Sequence, residues 1–250
     1  DSDYIFDCRG TPKDYSDYDE LKNPINACIL GKPNWNTTRA HWSRHVATPD
    51  GWTFVIPTTK NSPSRDGSVG YCYNSKITKK KDAEKNFLEM FDVEITKHLN
   101  FKNYVAKEPI IDGRIFLNGN RLFFLEPLES TASQAYTQVS RGIFNYYLTG
   151  RNTSKYVSTF IKSYIKELET FILWHYQFGS KYDTPFWDYA KTLRFEPEGD
   201  FEKFVGYSKI SDCIPDTIQY GGRTQDKMYG QWPPVSFKCW NEGMNTKLNI

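Results

Sequence analysis

The sequence predicts an α/β fold of the α+β kind, with a β-rich portion over residues 1–128 and a helical portion over 129–250 in one continuous folded unit. Two patterns predict it. Short apolar runs separated by Gly, Pro and Asp turns fill most of the first half. After residue 134, apolar residues recur three and four positions apart, the spacing of one helix face. The composition sets the scale: 250 residues, 38% apolar and 25% charged, suffice for one large core or two small ones.

The first strand is Tyr4 to Cys8, ended by Arg9-Gly10, and the next is Ile25 to Leu30, closed by Gly31 and Pro33. Ala40 to Ala47 and Trp52 to Pro57 flank Pro49-Asp50-Gly51, and Asp-Gly between two such runs signals a hairpin. A loop from Asn61 to Gly67 leads to the strand Val69 to Tyr73. Ala83, Phe87, Leu88 and Phe91 then mark an amphipathic helix over Lys81–Phe91. A short strand, Arg114 to Leu117, comes before the segment 118–134. Tyr136, Val139, Ile143 and Tyr147 lie on one helix that Gly150 caps, and Val157 to His175 mark a long one from Ser154 to Phe178. Thr184-Pro185 starts another, with Thr184 as N-cap and Pro185 at the first helical position. From Asp212 onward the signals fade into an irregular tail.

The charge excludes several function classes. Lys+Arg number 32 against 30 Asp+Glu, a net +2, which argues against a dedicated nucleic-acid binder. No apolar stretch approaches the roughly 20 residues of a membrane span, and the polar N-terminus is no secretory signal. The five cysteines are odd in number and lack metal-site spacing, so reduced thiols in a cytoplasmic protein are expected. Without a secretory signal, Asn36-Thr37-Thr38 and Asn152-Thr153-Ser154 are chance sequons. His41 and His45 have helical ligand spacing but lie on an expected strand, so no metal site is expected. Aromatic content is high at 16%, which suits either a filled core or a cavity for a flat organic ligand; core filling is the simpler explanation.

The densest segment, Asn118 to Gln134, joins a strand to a helix. Thr131-Ala132-Ser133-Gln134 reads as a capping box, so the helix starts there. Free N–H groups and the positive end of the helix dipole make such a start a ready anion site, and Glu129 stands just outside it. On these residues alone, a well-capped helix is the simpler reading.

The run Glu126-Pro127-Leu128-Glu129-Ser130-Thr131 resembles the signature of flavin-dependent halogenases of the tryptophan-halogenase type. Four other stretches resemble family motifs in the same order along the chain. They are Ile5 to Gly10, Gly51 to Pro57 (with Phe54 where the family has a second Trp), Gly70 to Lys76, and Asp183 to Trp187. The resemblance implies a flavin-monooxygenase-like β-rich portion followed by a helical substrate-binding portion. It implies an oxidoreductase in which FAD, reduced to FADH2, and oxygen convert a halide ion (chloride, bromide or iodide) to hypohalous acid. A lysine and a glutamate then direct that oxidant onto an aromatic substrate. Glu129 matches the glutamate, supported by Ser130, as catalytic residues. Thr131 and Ala132 match the halide-binding positions, with Ala132 where Gly is usual. Gly119 and Asn120 match the cofactor-binding turn, where Arg121 and Phe123 replace small residues. Tyr229 and Trp240 match the substrate-binding region. Val235, Cys239 and Met244 depart from the residues that hold free tryptophan, so a different aromatic is expected.

The family's Gly-x-Gly-x-x-Gly segment for the FAD pyrophosphate, and the lysine that follows it, have no match in the sequence. The resemblance therefore implies the C-terminal half of a longer protein, active only with its N-terminal half. Implied partners are the small aromatic substrate and a flavin reductase supplying FADH2; whether the protein is a homo-oligomer is left open. The competing readings are a flavin-dependent aromatic hydroxylase, which would lack the upstream lysine, and a noncatalytic aromatic-binding module.

Overall fold

The structure is a computed structural model that describes residues 3–35, 43–57, 67–177 and 179–194, the side chain of Glu129 excepted. The described chain forms two compact units, each gathered from separate stretches of sequence. The first contains Asp1–Leu21 and Tyr104–Trp174, the second Lys22–Asn103 and His175–Arg194.

The second unit is built on an antiparallel sheet of β3 (Ala27–Pro33), β4 (Arg44–Thr48), β5 (Gly51–Ile56), β6 (Ser68–Tyr73) and β7 (Val93–Asn100). Their spatial order is β4-β5-β6-β3-β7. Helix α1 (Lys80–Met90) covers one face and buries Ala83 and Phe87 against it. Ala27, Ile29 and Gly31 stand two residues apart, so they point to one face of the pleat. At Gly31 an added Cβ would stand 3.1 Å from the Phe87 ring, which leaves glycine as the residue that lets the helix seat. The expected hairpin is present: Thr48 pairs with Gly51, leaving Pro49-Asp50 as the loop.

Asp50 turns its carboxylate inward from that loop. It accepts hydrogen bonds from Tyr71 Oη at 2.6 Å, Asn86 Nδ2 at 2.7 Å and Thr78 Oγ1 at 2.9 Å. A buried carboxylate is tolerated because several donors replace its water. Burial and the bond to Asp50 push the Tyr71 hydroxyl far above its ordinary range, so it remains a donor. Helix α4 (Pro185–Thr192) begins at Thr184-Pro185 as expected. The Thr184 hydroxyl does not cap it, however, and donates instead to Pro49 O at 2.6 Å.

The first unit holds two small sheets. One orders β1 (Ile5–Asp7), β10 (Ile115–Leu117) and β9 (Ile110–Ile111), with β1 and β10 parallel. The other orders β11 (Phe123–Phe124), β8 (Tyr104–Ala106) and β2 (Tyr18–Glu20), all antiparallel. Helix α2 (Thr131–Gly142) buries Ala135, Val139 and Gly142, a stripe at helical spacing. A π-helical segment, Ile143–Leu148, follows it and ends at Thr149, with Gly150 beyond at φ 70°. The expected helix over Tyr136 to Tyr147 is thus α-helical and then π-helical. Helix α3 (Ser154–Gln177) buries Val157, Ile161, Leu168 and Ile172.

Other expectations need correction. Strand β3 continues through Gly31 and Pro33, with a register shift at Leu30/Gly31 absorbing the irregularity. Strand β4 ends at Thr48 rather than Ala47. Strands β2, β7, β8, β9 and β11 were not expected. Of these β7 is the longest, yet it is an edge strand whose side chains are mostly half-exposed or exposed, so no apolar alternation marks it. His41 lies outside the described residues, while His45 packs edge-on against Trp52, with centroids 5.4 Å apart. Cys28 and Cys72 face each other across β3 and β6, both buried, and Cys8 is exposed. Among the described residues no helix is long and apolar enough to cross a membrane.

Candidate functional site

The strongest candidate site is where parallel strands β1 and β10 end and the segment 118–134 begins. Beyond the carboxyl ends of parallel strands there are loops but no further ladder partners, which is where α/β folds place ligands. After β1 come Cys8, Arg9 and Gly10, the last at φ 86°; after β10 comes Gly119 at φ 60°. Both glycines adopt a left-handed conformation that other residues rarely take. At either one, an added Cβ would meet no atom within 4 Å, so both turns border open space.

Three buried or half-buried tyrosines hold the second turn. Tyr104 Oη donates to Asn120 O at 2.6 Å, Tyr18 Oη to Arg121 O at 2.8 Å, and Tyr136 Oη to Asn120 Oδ1 at 2.5 Å. Burial raises all three hydroxyls above their ordinary range, with Tyr136 pushed up to about 12, so they stay protonated as donors. Asn118 adds a fourth tie through Nδ2, which donates to Ser140 Oγ at 2.7 Å, while its Oδ1 accepts from Gly119 N at 2.8 Å. Sequence reasoning missed these tyrosines. Tyr18 is 103 residues from Arg121, and no local spacing could have announced the bond.

Asp7 forms the other side of this corner. Arg9 donates to it through Nε and Nη2, both at 2.8 Å, and Arg121 Nε donates to Asp7 Oδ2 at 3.2 Å. The paired Arg9 guanidinium holds the Asp7 carboxyl down at about 2, with Arg121 contributing at longer range.

The signature follows β11. Glu126 is fully buried, Leu128 nearly so, and residues Leu128–Ser130 form a 3-10 turn into α2. Ser130 stands at φ 53° and ψ 29°, one of two non-glycine residues with positive φ among those described. A non-glycine residue held there stores strain, which recurs where a side chain must be aimed. The expected capping box is not formed: Ser130, not Thr131, is the N-cap residue, with no side-chain cap bond. Thr131 is buried, and both its N–H and its hydroxyl donate to Leu128 O. The tight turn that tilts Ser130 thus also occupies one of the two N–H groups expected to hold a halide. The other belongs to Ala132, which is half-buried in the first turn of α2.

The expected residues divide accordingly. Gly119 and Asn120 lie together on the pinned turn; Ser130, Thr131 and Ala132 lie consecutively at the start of α2. The backbone of Glu129 lies in the turn between Leu128 and Ser130. Its side chain, with Tyr229 and Trp240, lies outside the described residues. For a flavin the fit is favourable at Gly119, where open space borders a rigid turn. Separately, a cleft of about 750 Å³ lined by Glu108, Ile110, Lys155, Lys162 and Lys166 runs along α3 and includes none of the expected site residues.

Comparison with known proteins bears on the family and the fold. The tryptophan halogenase family model matches residues 26–211. Tryptophan 7-halogenase RebH from Lentzea aerocolonigenes is 26% identical over 215 residues, 80% of this chain and 38% of RebH. Among solved structures, the flavin-dependent halogenase BrvH from Brevundimonas sp. BAL3 superposes with a TM-score of 0.71 at 16% identity, over 97% of this chain and 49% of BrvH. The tryptophan 6-halogenase SttH from Streptomyces toxytricini gives 0.69 at 18% identity, over 97% of this chain and 50% of SttH. The chain therefore spans half or less of the length of these relatives and shares their mixed α and β fold over that span. With the family model covering most of its length, the chain belongs to the tryptophan halogenase family.

Proposed function

We propose that the protein of which this chain is a part is an FADH2-dependent halogenase acting on an aromatic compound other than free tryptophan, with a flavin reductase supplying the reduced cofactor. The observation that carries the reading is the signature run Glu126–Thr131, set on a strained turn in a chain that belongs to the tryptophan halogenase family. When bound, reduced flavin would supply two of the four electrons that oxygen takes up, the halide giving the other two as it becomes an electrophilic halogen.

This chain's residues have narrower tasks. The tyrosine-pinned Gly119–Asn120 turn offers a rigid edge for the cofactor, so little entropy is lost on binding. The start of α2 offers the N–H of Ala132 to the halide, because the Thr131 N–H is already engaged. Glu129, beside the left-handed Ser130, would accept the proton the aromatic ring loses as the carbon–halogen bond forms. Val235, Cys239 and Met244 favour an aromatic without an amino-acid head group, such as a phenol or an indole.

The test supplies the full-length protein with reduced flavin, oxygen and bromide or iodide, and looks for halogenated arenes by mass spectrometry. Flavin binding without halogenation of any arene in a broad panel would overturn the reading. Glu129→Gln should lower arene halogenation by about 10²-fold or more and leave flavin oxidation by oxygen intact. Equal loss of both rates would instead make Glu129 structural.

A further inference from the structure

We propose that Arg9 and Arg121, bridged by Asp7 at the carboxyl ends of β1 and β10, form a binding site for the phosphate groups of a phosphorylated ligand. The first observation is charge. Two guanidiniums converge on one carboxylate, with Arg9 Nη2 at 2.8 Å and Arg121 Nε at 3.2 Å from the same oxygen, Asp7 Oδ2. One negative charge cannot neutralise both, so the cluster keeps a net charge of one positive unit. Arg9 is 80% exposed and Arg121 31%, whereas Asp7 is 6% exposed. The anchor is inside and the surplus charge faces outward.

The second observation is unused donors. Asp7 engages Nε and Nη2 of Arg9 but only Nε of Arg121. Arg9 Nη1, both terminal nitrogens of Arg121 and Nδ2 of Asn120 have no hydrogen-bond acceptor among the described residues. A planar guanidinium held by one edge presents its other edge as a two-pronged donor, the geometry that matches two phosphate oxygens.

The third observation is preorganisation and room. Tyrosine hydroxyls hold the backbone carbonyls of Asn120 and Arg121, so Arg121 starts from a fixed position. Gly10 and Gly119 border open space on the two loops that carry the arginines. A ligand can thus approach both loops without displacing a side chain at either glycine. Where the ligand is the flavin of the proposed reaction, the site would hold its phosphates. That identity rests on the halogenase reading, whereas the site itself does not.

The test is calorimetric titration of the full-length protein with inorganic pyrophosphate, FMN, FAD and riboflavin, for wild type, Arg9→Gln and Arg121→Gln. Losing one charge-assisted pair should weaken pyrophosphate binding by about tenfold or more in either variant. If the flavin phosphates occupy the site, FMN or FAD should weaken likewise while riboflavin, which has no phosphate, is unchanged. Arg9 is exposed, so its variant keeps the proposal testable should Arg121→Gln fail to fold. Wild-type protein that binds no pyrophosphate, or variants that bind it as tightly as wild type, would overturn the site. Pyrophosphate binding that depends on the arginines, with no flavin binding to the wild type, would keep the site and remove the flavin reading.

Discussion

Asp7 shows how one residue can set the electrostatics of a strand end. Its carboxyl is lowered from an ordinary 3.8 to about 2, chiefly by the Arg9 hydrogen bonds. A group whose folded value lies below its unfolded value stabilises the fold above the unfolded value and loses that contribution as pH falls through the folded one. The window is therefore pH 4 down to 2, and the contribution is about 1–2 kcal/mol, reduced by solvent screening at exposed Arg9. Asp7→Asn should remove this part of the acid sensitivity, so its stability should fall less than wild type's between pH 4 and pH 2 in denaturant titrations. Parallel curves for the two proteins would mean the pair carries no net stability. On the same residue scale, Tyr18, Tyr104 and Tyr136 work through their hydroxyls as well as their rings.

At the scale of elements, the β5–β6 pair turns on one glycine. Phe54 lies opposite Gly70, and a Cβ at Gly70 would stand 2.1 Å from the Phe54 ring. The ring covers the glycine as a larger neighbour covers a gap in a sheet. Gly70→Ala should therefore destabilise by about 1–3 kcal/mol through overpacking. Adding Phe54→Ala should recover most of that loss, a coupling visible in a double-mutant cycle of chemical denaturation. Additive losses would place the cost in the backbone instead.

Elements with a local signal were legible in the sequence. The Asp-Gly hairpin, the Phe87 face of α1, the periodic stripe of α3 and the Thr184-Pro185 start all appear where spacing placed them. Edge strand β7 and two-residue strands β9 and β11 lacked one, being half-exposed or too short for alternation to show. The start of α2 carried a misleading signal. Thr131 to Gln134 spell a capping box, yet the 3-10 turn before them draws the Thr131 hydroxyl back to Leu128 O. The candidate site was legible in its signature residues but not in its supports, because Asp7 and Tyr18 reach Arg121 only through the long-range pairing of β1 with β10 and of β2 with β8.

At the scale of the molecule, both units are assembled from stretches far apart in sequence, so neither is complete until long loops have closed. In the second unit the closing contacts are specific. Trp187 Nε1 donates to Thr48 O at 2.8 Å and Thr184 Oγ1 to Pro49 O at 2.6 Å, joining α4 to a hairpin about 135 residues earlier. Trp187 is nearly buried and packs with Phe186 and Tyr176, so its ring contributes burial while its N–H satisfies a carbonyl of a fully buried residue. Trp187→Phe keeps most of the burial but leaves that carbonyl without its donor, at a cost of about 1–3 kcal/mol. If the bond clamps the hairpin, amide exchange should quicken in β4 and β5 while the β3–β6 ladder around Cys28 and Cys72 keeps its protection. Exchange that rises equally in all these strands would mean that α4 supports the whole sheet through packing, and that the hydrogen bond has no local role of its own.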